Sequence, residues 1–549
     1  MPIKGIKGGV GTKALGYGLG AAEEASEPHF NQTTLLLHAD GSEGEGNTSA
    51  LGDPNYKAFR DNSSANNQIV VTGNAYGNDF SPYYYADGYW SNLFTVNNTD
   101  LEFTSTSNVE LDGVFTIEFF VQVSTLAVDT QHPSVLTFPT NGSNITQVYI
   151  NATNKYVALY YGSDLIKTDN DSITLNTWHH VVVARDSSSN IALWLNGSRV
   201  SSFYTGVSKA VTFGASSGDF NIGSYNGSGG ELDGFLSNVR IVKGYDVYGT
   251  TNTSITVPTA PLTAITGTGL LTCQSNRFID NASSPHALTV GSGQSISTNT
   301  PFTQSKTANV GSGYFDGTDD HVETLNTSSD FNLGTDQFTI EAWVYTQSTD
   351  QQTIVIPYGS TAFNIYLHND AVHLYFGSVI INGDDGAVES FIQKHAWNHI
   401  VMQRDSSNYL TVYVNGVRKY YTVDTTDFTA NNKIRIGEHA NNTNGFKGYI
   451  ADVRFVKGSA VYSGATITVP TADVIATPVV PVVASPSKST VPIEPVRANP
   501  VGVISTPCVV VTLPTEEVVD TPDTVTVTDV EAVAEPTALV ALTPVAITE

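Results

Sequence analysis

A long internal duplication restricts this chain more than any other feature. Trp178 opens the stretch WHHVVVARDSSSNIALWLNGSRV, and 219 residues later Trp397 opens WNHIVMQRDSSNYLTVYVNGVRK. The same offset relates Arg185 to Arg404, Asp186 to Asp405, and Asn196–Gly197 to Asn415–Gly416. Upstream, FTIEFFV from Phe115 answers FTIEAWV from Phe338; downstream, NVRIVKGYDVY from Asn238 answers DVRFVKGSAVY from Asp452. Each copy closes with ITVPTA, at Ile255 and Ile467, and the openings align Asp61–Asn62 with Asp280–Asn281. So many matches in one order are not chance. Units of roughly 200 residues are too long for solenoid repeats and suit a large one-domain sandwich. The expected division is a Gly-rich leader at 1–28, a first sandwich at 29–265, a second at 266–475, and a tail at 476–549. In that tail prolines recur at Pro478, Pro481, Pro486, Pro492, Pro495 and Pro500. They break helix and ladder alike, so an extended segment is expected, with valines that suit strand pairing on a partner.

Inside each unit the period is two. Ile191, Leu193 and Leu195 alternate with Ala192 and Trp194, and Leu410, Val412 and Val414 with Thr411 and Tyr413. Short polar stretches, Ser-Ser-Ser-Asn and Ser-Ser-Asn, join these runs to the preceding ones as hairpins. Asn-Gly at 196–197 and 415–416 then marks the next tight turn, because both residues tolerate positive φ. Charged residues are only 14% of the chain, and Gly, Asn, Ser and Thr carry its polarity, which disfavours helix. The expected class is all-β: two tandem antiparallel β-sandwiches of jelly-roll type.

The chain has 52 acidic against 25 basic residues, a formal charge of −27. Such a field repels phosphate backbones, so nucleic acid is excluded as a partner. Cys273 and Cys508 stand alone and far apart, which points to free thiols and folding in a reducing cytoplasm. Glycines interrupt the N-terminal stretch after Lys4, Lys7 and Lys13, so neither a signal-peptide core nor membrane insertion is expected. The Asn-x-Ser/Thr triplets at Asn31, Asn62, Asn144, Asn196 and Asn281 then read as compositional.

Several phrases, taken together, resemble one family. FTIE[FA][FW]V, W-x-H-[VI]-V-x-x-R-D, the Asn-Gly turn and [ND]-V-R-[IF]-V-K-G are similar to LamG-like, concanavalin A-like lectin/glucanase domains. TLLLHADGS at Thr34, LLTCQSNRFIDNAS at Leu270 and GYFDGTDDHVE at Gly313 resemble LamG-like proteins of tailed phages, notably marine cyanophages. The resemblance implies jelly-roll sandwiches that bind glycans or proteins, sometimes with calcium, on fibres and other virion appendages. It implies partners among other virion proteins, host cell-surface polysaccharide and further copies of the chain, and a virion location after synthesis in the bacterial host cytoplasm. A branch of the superfamily hydrolyses glucans, and a bacterial cell-surface adhesin is a further alternative.

The glucanase reading requires two carboxylates about 5–5.5 Å apart, supplied as Glu-x-Asp-x-(x)-Glu. Glu231–Leu232–Asp233 and Glu110–Leu111–Asp112 come nearest, and neither is followed by the second glutamate. No catalytic residue is therefore expected. Glu118 and Glu341 inside FTIE, and His180 and His399, read as structural groups paired with neighbouring strands. Asp186 and Asp405 read as turn caps, and Arg240 and Arg454 as strand buttresses. For calcium, hard oxygen ligands gather in Asp316, Asp319 and Asp320 and again in Asp384 and Asp385, with Asn97, Asn98 and Asp100 near the first position in the other repeat. For glycan, the densest aromatic cluster is Tyr83, Tyr84, Tyr85, Tyr89 and Trp90; Tyr160, Tyr161, Tyr420 and Tyr421 are lesser candidates. Adjacent aromatics on a strand point to opposite faces, so about half of them belong to the core.

Overall fold

The computed structural model describes most of residues 29–472, apart from the stretch 39–58 and shorter internal ones. The leader and the tail expected at 1–28 and 476–549 lie outside the described residues. Among the described residues, four antiparallel sheets form two sandwiches. In the first, Phe115–Thr125 lies between Trp178–Arg185 and Asp233–Lys243, with Ile191–Leu195 beyond the former. The facing sheet runs Asp164–Lys167, Val157–Tyr161, Asn144–Ile150, Ser134–Asn141, Asp219–Ile222 and Leu101–Thr104. The second sandwich repeats this plan, with Phe338–Thr346 between Trp397–Arg404 and Lys447–Lys457.

Alternation decides what each sheet buries. Phe115, Ile117, Phe119 and Val121 enter the first core, where they meet Val148, Val157, Leu159 and Phe220 from the facing sheet. Phe338, Ile340, Ala342 and Val344 do the same in the second core. Both Asn-Gly turns have positive φ at each residue, 49° and 82° in the first and 50° and 83° in the second, as a type I′ hairpin requires. The two ITVPTA closures dock on them: Ile255 N–H donates to Gly197 O, and Ile467 N–H to Gly416 O, both at 2.8 Å. A Cβ on Gly416 would stand 2.7 Å from Ile467 O. Gly416→Ala is therefore expected to cost about 1–3 kcal/mol, through backbone strain and loss of this docking, measurable as a lowered denaturation midpoint.

The sheets do not follow the line drawn between the repeats at 265/266. Thr33–His38, from the first repeat, pairs with Lys447–Lys457 of the second sandwich, setting Leu35 against Phe455 and Leu37 against Val453. Tyr76–Asn78 and Ile69–Thr72 extend that same sandwich, on Ser312–Asp316 and His321–Thr324. Conversely Thr268–Thr272, from the second repeat, pairs with Asp233–Lys243 of the first, setting Leu271 against Arg240. Thr289–Val290 and Ser295–Ser297 complete the first sandwich on Leu101–Thr104 and Ser91–Phe94. The exchange is reciprocal down to its caps. Asp61 Oδ1 accepts from Leu36 and Ser63 N–H at 3.0 and 2.9 Å, and Asp280 Oδ1 from Leu271 and Ala282 N–H, both at 2.9 Å. The period-two pattern and the internal offset identify the strands, but neither carries information about which copy of an edge a strand joins.

Candidate functional site

Glu118 and Glu341 lie at the centre of two equivalent buried clusters. Each projects from the face of its strand opposite the core and sits beneath the segment that follows the last long strand. Glu118 receives His180 Nε2 at 2.9 Å and Arg240 Nη2 at 2.6 Å, and Tyr248 donates its hydroxyl to the same carboxylate. Glu341 receives His399 Nε2 at 3.1 Å, the Tyr462 hydroxyl at 2.6 Å and the Arg454 guanidinium. Burial alone would raise the Glu341 carboxyl, but Arg454, His399 and Tyr462 outweigh it and hold the group at about 2. Glu118 is lowered by the same opposition of burial and partners. Both acids are therefore charged, buried and fully engaged, as the structural reading of the FTIE motifs expects. Such clusters lock the covering segments to the sheet; they offer no free carboxylate to a substrate.

The neighbouring motif residues are structural too. Asp186 Oδ1 accepts from Ser188 and Asn190 N–H at 2.9 and 2.8 Å, and Asp405 Oδ1 from Ser407 and Tyr409 N–H at 2.8 and 2.9 Å. The Arg404 guanidinium lies between Phe338 and Phe428 and donates to Gly334 O and Thr426 O, both at 2.6 Å. Of the carboxylates nearest a glucanase pattern, Asp112 pairs with Lys243 at 3.0 Å, Asp233 accepts from Thr125, and Glu231 accepts from Gly229 N–H at 3.1 Å.

The aromatic run at 83–90 divides. Tyr83 and Trp90 are buried, 5% and 0% exposed, and so present no ring to a ligand. Tyr83 packs edge-on against Trp343 at 5.9 Å, while Phe80 meets Trp90, Tyr345, Trp397 and Tyr449 at 5.1–6.2 Å. These rings form a seam between the two sandwiches, which explains the local density of aromatics without a ligand. Tyr84, Tyr85 and Tyr89 stay half-buried at its margin. The lesser pairs split as strand alternation requires. Tyr161 packs against Phe213 and Tyr420 against the second core, whereas Tyr160 is partly exposed and Tyr421 is 47% exposed, stacked on Tyr409 at 4.3 Å.

A second aromatic group lies on the outer face of the first sandwich's smaller sheet. Val148, Ile150, Val157 and Leu159 point into the core, so Gln147, Tyr149, Ala158 and Tyr160 take the other face. The Tyr149 hydroxyl donates to Asp164 Oδ1 at 2.8 Å and the Tyr156 hydroxyl to Asp164 Oδ2 at 3.0 Å. Burial, together with the Tyr156 and Asp164 bonds, pushes the Tyr149 phenol well above its ordinary range. His132 stacks on Tyr149 at 5.7 Å and 11°, and the Lys167 ammonium sits 4.2 Å from the Tyr156 ring centre. Tyr160, Asp164 and Lys167 remain partly exposed beside them. The corresponding sheet of the second sandwich carries Tyr366 stacked on His373 at 4.8 Å, with Tyr375 37% exposed. The partly exposed Tyr160 ring, with the Asp164 carboxylate and the Lys167 ammonium on the same face and the buried Tyr149 and Tyr156 behind, suits a polyhydroxylated ligand, because rings take apolar faces and polar groups fix hydroxyls. The alternation in NITQVYI and VALYY was the signal in the sequence; the contribution of Asp164 and His132 depends on tertiary structure.

Asp316, Asp319 and Asp320 bring one carboxylate oxygen each to within 4.8 Å of one another. Asp320 is buried, Asp316 half-buried and Asp319 exposed. Asp320 Oδ2 accepts from Asp316 N–H at 2.8 Å, and Asp316 Oδ1 from Thr318 N–H at 2.8 Å. Three hard, anionic donors in a short loop are a chemical fit for calcium. Asp384, Asp385, Asn97 and Asn98 lie outside the described residues. Asp100 instead joins a hydrogen-bonded group with Ser224, at 3.1 Å, and Asn221, at 3.3 Å. Burial, opposed by those bonds and aided by Glu102 and Glu231, raises its carboxyl.

Two antiparallel jelly-roll sandwiches of lectin type are thus in hand. The family described as the concanavalin A-like lectin/glucanases superfamily, of laminin G type, matches residues 95–245 and 316–461, more than half of the chain, and this protein belongs to it. No curated protein sequence matches the chain. Among solved structures it is similar to mouse laminin alpha1 chain domains LG4-5, at 13% identity over 69% of this chain and 90% of that one, with a TM-score of 0.24. It is also similar to a putative carbohydrate-binding protein from Bacteroides ovatus, at 15% identity over 40% and 62%, with a TM-score of 0.27. A third is the heptameric SAP-like pentraxin from Limulus polyphemus, at 18% identity over 28% and 76%, with a TM-score of 0.22.

Proposed function

We propose that this is a non-catalytic binding protein whose sandwiches hold surface polysaccharide, with the partly exposed Tyr160 ring, backed by the buried Tyr149 and Tyr156, as the sugar-facing surface of the first. The observation that carries this reading is the juxtaposition of the Tyr160 ring with Asp164 and Lys167, all partly exposed, on one sheet face. The absence of catalysis is supported by Glu118 and Glu341, whose carboxylates are consumed in buried ion pairs. Tyr160→Ala is expected to lower polysaccharide retention on a glycan array by roughly tenfold, with no change in thermal stability beyond that of an ordinary half-buried site. Equal retention by wild type and variant would remove this face from the reading. Tyr84, Tyr85 and Tyr89 are the alternative surface, and the corresponding alanine variants separate the two.

The proposed setting is the virion of a tailed phage, on a fibre, an appendage or the capsid surface, where neighbouring virion proteins and host polysaccharide are the partners. The resemblance of the phrases at Thr34, Leu270 and Gly313 to LamG-like phage proteins supports it. Mass spectrometry of purified particles tests it directly: the protein's absence from them would end this assignment. Calcium is proposed at Asp316, Asp319 and Asp320, where its two charges would offset most of the repulsion among the three carboxylates and fix their loop. Millimolar calcium is expected to raise the melting temperature, and Asp319→Asn to abolish that rise. A shift that persists in the variant would move the ion elsewhere.

A further inference from the structure

We propose that the strands Thr33–His38, Ile69–Thr72 and Tyr76–Asn78 are exchangeable donors, through which the second sandwich of one copy of this chain is completed by a second copy. This inference is independent of the ligand proposed above. Neither sandwich is complete within its own repeat. The first is finished by Thr268–Thr272, Thr289–Val290 and Ser295–Ser297, which follow it in the chain, and the second by Thr33–His38, Ile69–Thr72 and Tyr76–Asn78, which precede the first. The two donors use matching edges: Thr268–Thr272 on Asp233–Lys243, and Thr33–His38 on Lys447–Lys457.

The donor fills the second core with Leu35, Leu37, Phe59, Val71 and Ala75. Phe59 meets Phe315 at 6.4 Å, against Gly313, where a Cβ would come within 2.4 Å of the ring. No covalent bond between described residues ties the donor to that sandwich; its peptide continuity runs instead through 79–90 into the first. Whichever copy supplies the donor, the register, the caps and the buried side chains are the same. The closed chain and an exchanged pair therefore differ chiefly in closure entropy, which gives the closed form an advantage equivalent to a local concentration of roughly millimolar order. A row of copies would also extend the arrangement already present at the first sandwich, whose donor comes from the next unit along the chain. Swapping an identical element is a low-cost route to association of this kind.

The full chain tests this. Thr72 and His321 are directly opposed across the donor and its acceptor. Two variants carry Cys273→Ala and Cys508→Ser together with either Thr72→Cys or His321→Cys, and are unfolded, mixed and refolded at high concentration under mild oxidation. Exchange yields a disulfide-linked two-chain band that falls away when refolding is done at roughly 100-fold dilution. A chain carrying both cysteines closes on itself when dilute, which controls for the geometry. Light scattering on the unsubstituted chain, refolded at the same high concentration, gives an independent reading. A two-chain mass agrees with the proposal; single-chain mass throughout, or no mixed disulfide when the double variant closes, overturns it.

Discussion

Leu35→Ala is expected to destabilise the second sandwich by about 2–5 kcal/mol and to leave the first nearly untouched, although Leu35 stands in the first repeat. Leu35 is 0% exposed, is set against Phe455, and belongs to the second core. Truncation removes its contacts and leaves a cavity that the surrounding sheets relax into only partly. Leu270→Ala is the mirror case. Leu270 is equally buried but set against Ile241, in the first core, so its loss falls on the other sandwich. Hydrogen exchange reads the two apart. Leu35→Ala should accelerate exchange in Lys447–Lys457 and its neighbours, and Leu270→Ala in Asp233–Lys243. The opposite assignment, with each variant weakening the sandwich of its own repeat, would contradict the exchanged topology.

Glu341→Gln is expected to destabilise the second sandwich by about 3–5 kcal/mol at neutral pH, because it leaves Arg454 buried without its counter-charge. Arg454 and Glu341 are each about as buried as the core, at 3% and 4% exposure. The same substitution should flatten the acid limb of the stability curve. Glu341 sits at about 2 in the folded chain against an ordinary 4.5, so between these values the unfolded state binds the extra proton. Its contribution is whole above about pH 4.5 and is lost as pH falls through that value towards 2. Chemical denaturation across this range, compared between wild type and Glu341→Gln, measures it. An acid limb of unchanged slope would show that the carboxylate is not the group being titrated.

Much of the fold was legible in the sequence because its signals are local. Alternation in FTIEFFV fixes which residues enter the core, and Asn-Gly between two alternating runs favours the type I′ turn found at 196–197 and 415–416. The two closing ITVPTA phrases were visible as a repeat, but their function, docking on those turns, required the tertiary contact between Ile255 and Gly197. The exchange of leading strands was not legible at all, since Leu35 and Leu270 lie in short apolar strands of the same character and either could join either sandwich. The aromatic run at 83–90 illustrates a related limit. Tyrosine and tryptophan have the same composition signature in a sugar platform and in a packed seam, and here Tyr83 and Trp90 went to the seam. Tyr160 became a candidate surface only when Asp164, held by the buried Tyr149 and Tyr156 hydroxyls, came opposite it on the adjoining strand.

Binding without turnover is the centre of this account, and one measurement tests it most directly. The protein is incubated with insoluble polysaccharide from candidate host cells, and the pellet and supernatant are assayed together for bound protein and for new soluble reducing ends. The account predicts protein retained on the polysaccharide, reduced for Tyr160→Ala, with reducing ends at the level of the buffer control. Release of soluble oligosaccharide that rises with time and protein concentration would contradict it.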